Sequence, residues 1–147
     1  MDVNLFGCIA LLQKALPHLR TNEGRFILVS SGAAIKPYQG WLPYCVSKSA
    51  CNMLVAGLGL EEQKVISIAL RPGVVDTEMQ TLIRESGRGA MGDASHDRFV
   101  ELKETGKLLP PEVPGHVIAK LALGAPKELS GQFISWDDGR LAAYQKK

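Results

Sequence analysis

Two stretches, residues 25–31 (RFILVSS) and 65–70 (VISIAL), are apolar without the polar alternation of a half-solvated strand. Runs of that kind suit strands covered on both faces, the situation at the centre of a parallel sheet. The second run stops at Arg71-Pro72-Gly73, where proline cannot donate a further ladder bond. The periodic segments around the two runs are helical. In residues 2–20, Val3, Phe6, Ile9 or Ala10, Gln13, Leu16 and Leu19 or Arg20 recur at three- and four-residue steps, giving one mostly apolar face. Thr21-Asn22-Glu23-Gly24 stops that helix, with Gly24 expected at the left-handed position after the cap.

A loop rich in turn residues follows from Gly32 to Pro43, then a helix from about Tyr44 to Glu62. Its inner stripe takes Ala50, Met53 or Leu54, and Gly57 or Leu58. Two glycines so close together, Gly57 and Gly59, predict tight packing on another backbone, within the chain or in a neighbouring subunit. Beyond Thr77 the pattern predicts a short helix through Ile83, a glycine-rich stretch from Gly87 to Gly92 and a helix near 96–104. A further helix over 113–123 places Val117, Ile118 and Leu121 on one face, and 132–136 (QFISW) is a third strand. The tail from about residue 140 to 147 is expected to be frayed. Helices alternating with strands predict an α/β fold: a three-stranded parallel sheet with right-handed crossovers and helices on both faces.

Composition narrows the function classes. A net charge of +2 over 147 residues, with no basic run longer than Lys146-Lys147, gives no reason to expect a nucleic acid or membrane partner. No apolar span approaches the ~18 residues of a transmembrane helix, and the apolar start lacks the basic region and cleavage site of a signal peptide. Three cysteines, Cys8, Cys45 and Cys51, have no metal-ligand spacing and read as reduced thiols of a cytoplasmic protein. Cys45 adjoins Tyr44, but helical geometry turns it to another face. His18, His96 and His116 are scattered and read as structural or solvated, and no G-x-S-x-G elbow makes Ser31 a hydrolase nucleophile.

The chemistry lies at the end of the first strand. Tyr44 and Lys48 are four apart on a helix and share a face, and Ser31 precedes Tyr44 by thirteen residues. A serine at a strand end is by itself an ordinary turn residue, and a tyrosine four before a lysine an ordinary surface pair. In register, and followed by Pro72-Gly73 after the next strand, they form a set for proton transfer to a carbonyl. A free phenol titrates near pH 10. One ammonium about 4 Å away contributes on the order of 4 kcal/mol at an effective dielectric near 20, about what three pH units require.

Ser31, Tyr44-Cys45-Val46-Ser47-Lys48 and Arg71-Pro72-Gly73-Val74-Val75-Asp76-Thr77 resemble a short-chain dehydrogenase/reductase, with Asp2-Val3-Asn4-Leu5-Phe6-Gly7 similar to the family's central helix. GVVDTEMQTLIRE, LKETGKLLPPEVPGHVIAKLAL and GQFISWDD are similar to its sepiapterin-reductase-like branch, which includes benzil reductases. The resemblance implies carbonyl reduction with NADP(H). Tyr44 is then the proton donor and Ser31 the hydrogen-bond donor to the carbonyl. Tyr44 and Lys48 also contact the cofactor, Lys48 at the nicotinamide ribose, and Asn4 binds a water joining Lys48 to solvent. Pro72, Gly73, Val75 and Thr77 wrap the nicotinamide and pyrophosphate. Trp41 and Met79, flanking the two site loops, are expected in the wall around a small-molecule carbonyl substrate.

The resemblance spans the whole chain but only the second half of the family's usual domain, a partial Rossmann-type fold. The glycine-rich T-G-x-x-x-G-x-G turn of the dinucleotide-binding half does not occur in these residues. The expectation is a single truncated domain, residues 1–147, with one edge of the first strand unpaired; the absent turn puts in question whether these residues alone hold cofactor and turn over substrate. The alternative is a non-catalytic interaction module. In the family the helices 2–20 and 44–62 form the subunit interface, which implies a homodimer through them.

Overall fold

The computed structural model describes residues 1–145. A parallel sheet in the order β1-β2-β3 is built from β1 (Arg25–Val29), β2 (Ile66–Arg71) and β3 (Gln132–Ser135). Arg25 stands opposite Ile66, and Ile68 opposite Gln132. The helices are α1 (Gly7–Thr21), α2 (Leu42–Glu61), α3 (Glu78–Ser86), α4 (Arg88–Met91), α5 (Asp93–Glu104) and α6 (Glu112–Gly124). One π-helical turn, Asp2–Phe6, leads into α1.

Burial on both faces explains the missing alternation in β2, whereas in β1 only Leu28 is buried and Val29 is 44% exposed. On one face Ile68, Leu70 and Ile134 pack with Val117 and Leu121 of α6. On the other, Leu28 and Ala69 pack with Cys51 and Val55 of α2, and a neighbouring cluster joins Leu12 of α1 to Leu58 and Val65. Ser67 is the polar residue in this layer, and its hydroxyl donates to the Val55 carbonyl at 2.9 Å, which satisfies it. Among the described residues β1 pairs with β2 alone, so its other edge is open.

Three expectations are corrected. The left-handed residue after α1 is Glu23 (φ 48°), not Gly24. Gly24 comes one position later, where its N–H bonds to the Leu19 carbonyl at 2.8 Å, the closing bond of a Schellman motif. The stretch 87–92 is not a loop throughout, because Arg88–Met91 forms α4 and Met91 is buried. The tail is packed as far as it is described: Leu141 is fully buried against α6 and β3, and Tyr144 packs on the same cluster. Asp138 caps the turn that holds Leu141 in place, accepting from the Arg140 amide at 2.9 Å. The Arg140 guanidinium and amide together draw the Asp138 carboxyl down to about 2. Lys146 and Lys147 lie outside the described residues.

The two glycines of α2 part company. A Cβ at Gly59 would stand 2.5 Å from the Gly131 Cα, so helix and β3 approach backbone to backbone inside one chain. A Cβ at Gly57 meets nothing within 4 Å. Of the open alternatives on the inner stripe, Leu54 and Leu58 face the core while Met53 is exposed. Opposite signs are therefore expected: Gly57→Ala raises stability by up to about 1 kcal/mol, whereas Gly59→Ala lowers it by about 1–3 kcal/mol. Urea unfolding of both variants checks this, and equal shifts would show that the Gly59 contact is not tight.

Candidate active site

The site lies beyond the C-terminal ends of β1 and β2, where ligands bind in open α/β sheets. β1 runs on into Ser30 and Ser31. Ser30 stays in the ladder, its N–H bonding to the Leu70 carbonyl at 2.8 Å, and its buried hydroxyl donates to Asn52 Oδ1 of α2 at 2.6 Å. That anchors the strand end and leaves Ser31 facing the cavity. Ser31 Oγ accepts from the Ala33 amide at 3.1 Å and so caps a short 3-10 turn. Ser49 of α2 ties down the same loop by donating to the Ala34 carbonyl at 2.6 Å.

Helix α2 begins two residues earlier than expected, at Leu42, with proline in its first turn. It presents Tyr44 and Lys48 on one face. Lys48 Nζ lies 5.7 Å from the Tyr44 ring centroid and donates to the Val29 carbonyl at 2.8 Å. The ammonium is thus fixed from two sides, by β1 and by the ring. Asn4 reaches the site from the π-helical turn. Its amide donates to Ser47 Oγ at 3.2 Å, and Ser47 in turn donates to the Tyr44 carbonyl at 2.7 Å. The Asn4 backbone carbonyl accepts from Cys51 Sγ at 3.1 Å and Cys8 Sγ at 3.3 Å. Burial pushes the Cys51 thiol up, with Lys48 opposing. All three cysteines are free, and Cys45 faces a separate groove with Ala33 and Met53.

The loop after β2 forms the other wall. Gly73 sits at φ 81°, and a Cβ there would lie 2.6 Å from Leu109 Cδ1, so glycine is required on both counts. Backbone bonds between Val74, Asp76 and Leu109, with an Asp76–Lys103 ion pair at 2.7 Å, hold this loop against the segment after α5. Asn4, Ser31, Trp41, Tyr44, Lys48, Pro72, Gly73, Val75, Thr77 and Met79 all line one cavity of about 480 Å³. The structure brings every sequence-selected site residue together.

It also adds residues that local patterns did not mark. Trp41 stacks on Phe99 of α5 with centroids 5.5 Å apart, meets Tyr44 edge-on at 5.7 Å, and touches Tyr38 at 5.3 Å. Phe99, Tyr38, Gln80 and Arg98 line the same cavity, while Ser47 supports it from behind. Ser47 lay inside the quoted Tyr44–Lys48 stretch, but nothing in the spacing told which atom it would hold. Among the described residues no cluster of histidine, cysteine and carboxylates suits a metal ion, and no helix is long and apolar enough to cross a membrane.

The family model described as short chain dehydrogenase matches residues 1–87. The chain belongs to the short-chain dehydrogenases. Among relatives of this short-chain dehydrogenase, an uncharacterized oxidoreductase of Schizosaccharomyces pombe is 46% identical over 92% of this chain and 55% of its own. A benzil reductase of Saccharomyces cerevisiae, described as (S)-benzoin forming, is 42% identical over 98% of this chain and 57% of its own, in line with the branch resemblance. The crystal structure of a short chain dehydrogenase/reductase from Saccharomyces cerevisiae superposes with a TM-score of 0.96 at 40% identity, covering 99% of this chain and 58% of that one. The chain spans a little over half the length of the relatives it matches.

The residues present fit the nicotinamide end of a dinucleotide. A glycine-requiring turn at 72–73, the Lys48 ammonium and Thr77 at the start of α3 line the cavity. Short-chain dehydrogenases are nicotinamide enzymes, so this is the group to be tested.

Proposed function

We propose that this short-chain dehydrogenase reduces an aryl ketone in the cytoplasm, with NADPH as the hydride source and benzil as the model substrate. One observation carries the reading: Ser31, Tyr44 and Lys48 share a cavity whose wall is Trp41 stacked on Phe99. An aromatic wall of this kind suits a flat ring, which can stack on it or meet it edge-on. When bound, the reduced nicotinamide would supply a hydride to the carbonyl carbon. Tyr44 delivers the proton to the oxygen, and Ser31 donates a hydrogen bond to that oxygen as negative charge builds on it. Tyr44, Lys48, Pro72, Gly73, Val75 and Thr77 are the proposed cofactor contacts, and Trp41 and Met79 the substrate contacts. Asn4 holds Ser47, which fixes the start of α2 beneath Tyr44.

The test is a thermal-shift titration of the chain with NADPH, paired with benzil reduction followed by loss of NADPH absorbance. A saturable rise in the melting midpoint with turnover of benzil is expected. A midpoint unmoved by nucleotide, with no turnover, would overturn the reading for this chain. A second reading is favoured by the exposed apolar residues of the two long helices, among them Leu11 of α1 and Val46, Met53 and Leu60 of α2. They suit a partner helix pair, a second copy of this chain in the first instance. A chain indifferent to nucleotide but dimeric by gel filtration would support that interaction module.

A further inference from the structure

Of the seven arginines, five are partnered within the chain. Arg20 pairs with Glu62, Arg88 with Asp93 and Asp97, and Arg140 with Asp138. Arg25 donates to the Ala125 carbonyl and Arg84 to the Thr81 hydroxyl. Arg71 and Arg98 bond to nothing among the described residues, and both line the cavity that holds Ser31 and Tyr44. With Lys48 they put three cations on its wall, and among the described residues no aspartate or glutamate lines it. The acids next to these stretches are engaged elsewhere: Asp76 accepts from Lys103 at 2.7 Å, and Asp97 from Arg88 at 2.7 Å. A cavity lined by one sign of charge concentrates ligands of the other sign.

The two arginines flank the place of the substrate. Arg71 ends β2, and its guanidinium lies against Gly32, the residue after Ser31: a Cβ there would stand 3.3 Å from Arg71 Nε. Arg98 precedes Phe99 in α5, whose ring stacks on Trp41. One charge is thus beside the hydroxyl that meets the reacting carbonyl, and the other beside the aromatic wall. A guanidinium only donates, in a fork that matches the two oxygens of a carboxylate. A phosphate would match as well. The cofactor contacts, however, lie on α2 and the 72–77 loop, whereas Arg98 belongs to the helix that supplies the wall.

We propose that Arg71 and Arg98 are specificity-determining residues for an aryl 2-oxo acid: they hold its carboxylate, while Ser31 and Tyr44 engage the adjacent ketone oxygen. This rests on the aryl-ketone reading above and narrows it. The ring lies against Trp41 and Phe99. Reduction leaves the carboxylate intact, so the 2-hydroxy acid product keeps the same anchor. A neutral ketone such as benzil uses only part of this site.

The experiment is a ligand-detected NMR titration of the chain, of Arg71→Gln and of Arg98→Gln with two probes. Phenylglyoxylate and its methyl ester share the ring and the ketone, and only the first is an anion. The parent chain is expected to prefer the acid roughly 5- to 20-fold, between the effects of an exposed and a desolvated charged contact. Each variant should weaken the acid roughly 3- to 10-fold and change the ester by less than about twofold. Added salt should weaken the acid alone. Both side chains are exposed, so melting midpoints and their response to NADPH should stay those of the parent. Equal affinity of the parent for acid and ester, or unchanged affinity for the acid in either variant, would overturn the assignment. So would variants that weaken both probes alike, and in each of these cases the ketone reading stands. Variants that lose the response to NADPH but keep the acid would put the arginines on a cofactor phosphate, which also overturns it. A chain that binds neither probe would overturn the ketone reading, and this assignment with it.

Discussion

Replacing Tyr44 with phenylalanine is expected to slow benzil reduction by about 10²- to 10⁴-fold, the usual range for a positioned proton donor. The variant keeps everything the fold uses at this position. The ring still meets Trp41 edge-on and still lies under the Lys48 ammonium. The backbone carbonyl of residue 44 still accepts from Ser47. Only the hydroxyl is lost, so the rate should fall without a comparable fall in the melting midpoint or in NADPH affinity. Measuring turnover and thermal unfolding on the same preparation separates the outcomes. A rate within tenfold of the parent would assign the proton to another group, and a matching loss of stability would make Tyr44 a packing residue.

Replacing Ile68 with alanine is expected to produce the largest loss of stability. Ile68 is fully buried at the middle of the central strand, packed among Leu70, Val117, Leu121 and Ile134. Truncating such a side chain removes its transfer free energy and leaves a cavity, together about 2–5 kcal/mol. Domains of this size have only about 5–15 kcal/mol in total. With a urea dependence of about 1–3 kcal/mol per molar, the unfolding midpoint should drop by on the order of 1–2 M. The site loops hang from the ends of β1 and β2, so binding should weaken only as the folded population does. A midpoint within a few tenths of a molar of the parent would mean that the layer between β2 and α6 relaxes around the gap.

The sequence made the scaffold readable because buried parallel strands and amphipathic helices leave local signatures. RFILV and ISIALR became β1 and β2, and the 117, 118, 121 stripe of α6 meets the sheet as its spacing indicates. The reacting groups were readable for the same reason, since Tyr44 and Lys48 are one helical turn apart and Ser31 ends a strand. What escaped was decided by contacts distant along the chain. Leu141 is the one large aliphatic residue in DDGRLAAYQ, and nothing local says that α6 will cover it. Phe99 lies fifty-eight positions beyond the Trp41 it stacks on (99 − 41), and Gln80 reads from its neighbours as an ordinary surface helix residue. Gly57 and Gly59 look alike in the sequence, and only the position of Gly131 tells them apart. Glu23 takes the left-handed position, and Gly24 follows one step later, where its N–H closes the helix end and a Cβ would stand 2.6 Å from Leu19 Cδ2.

The widened turn that carries Asn4 has a genetic consequence. In the π-helical segment Asp2–Phe6 the Phe6 amide reaches back to the Met1 carbonyl, so this turn holds one residue more than a regular one. Each residue of an α-helix advances about 100° around its axis. Deleting the codon for Leu5 or Phe6 would restore a regular turn and swing the Asn4 side chain away from Ser47 by about that angle. The count of codons between Asn4 and α1 is therefore constrained more tightly than their identity: substitutions on the exposed side can accumulate here, while a one-codon deletion removes the support beneath Tyr44.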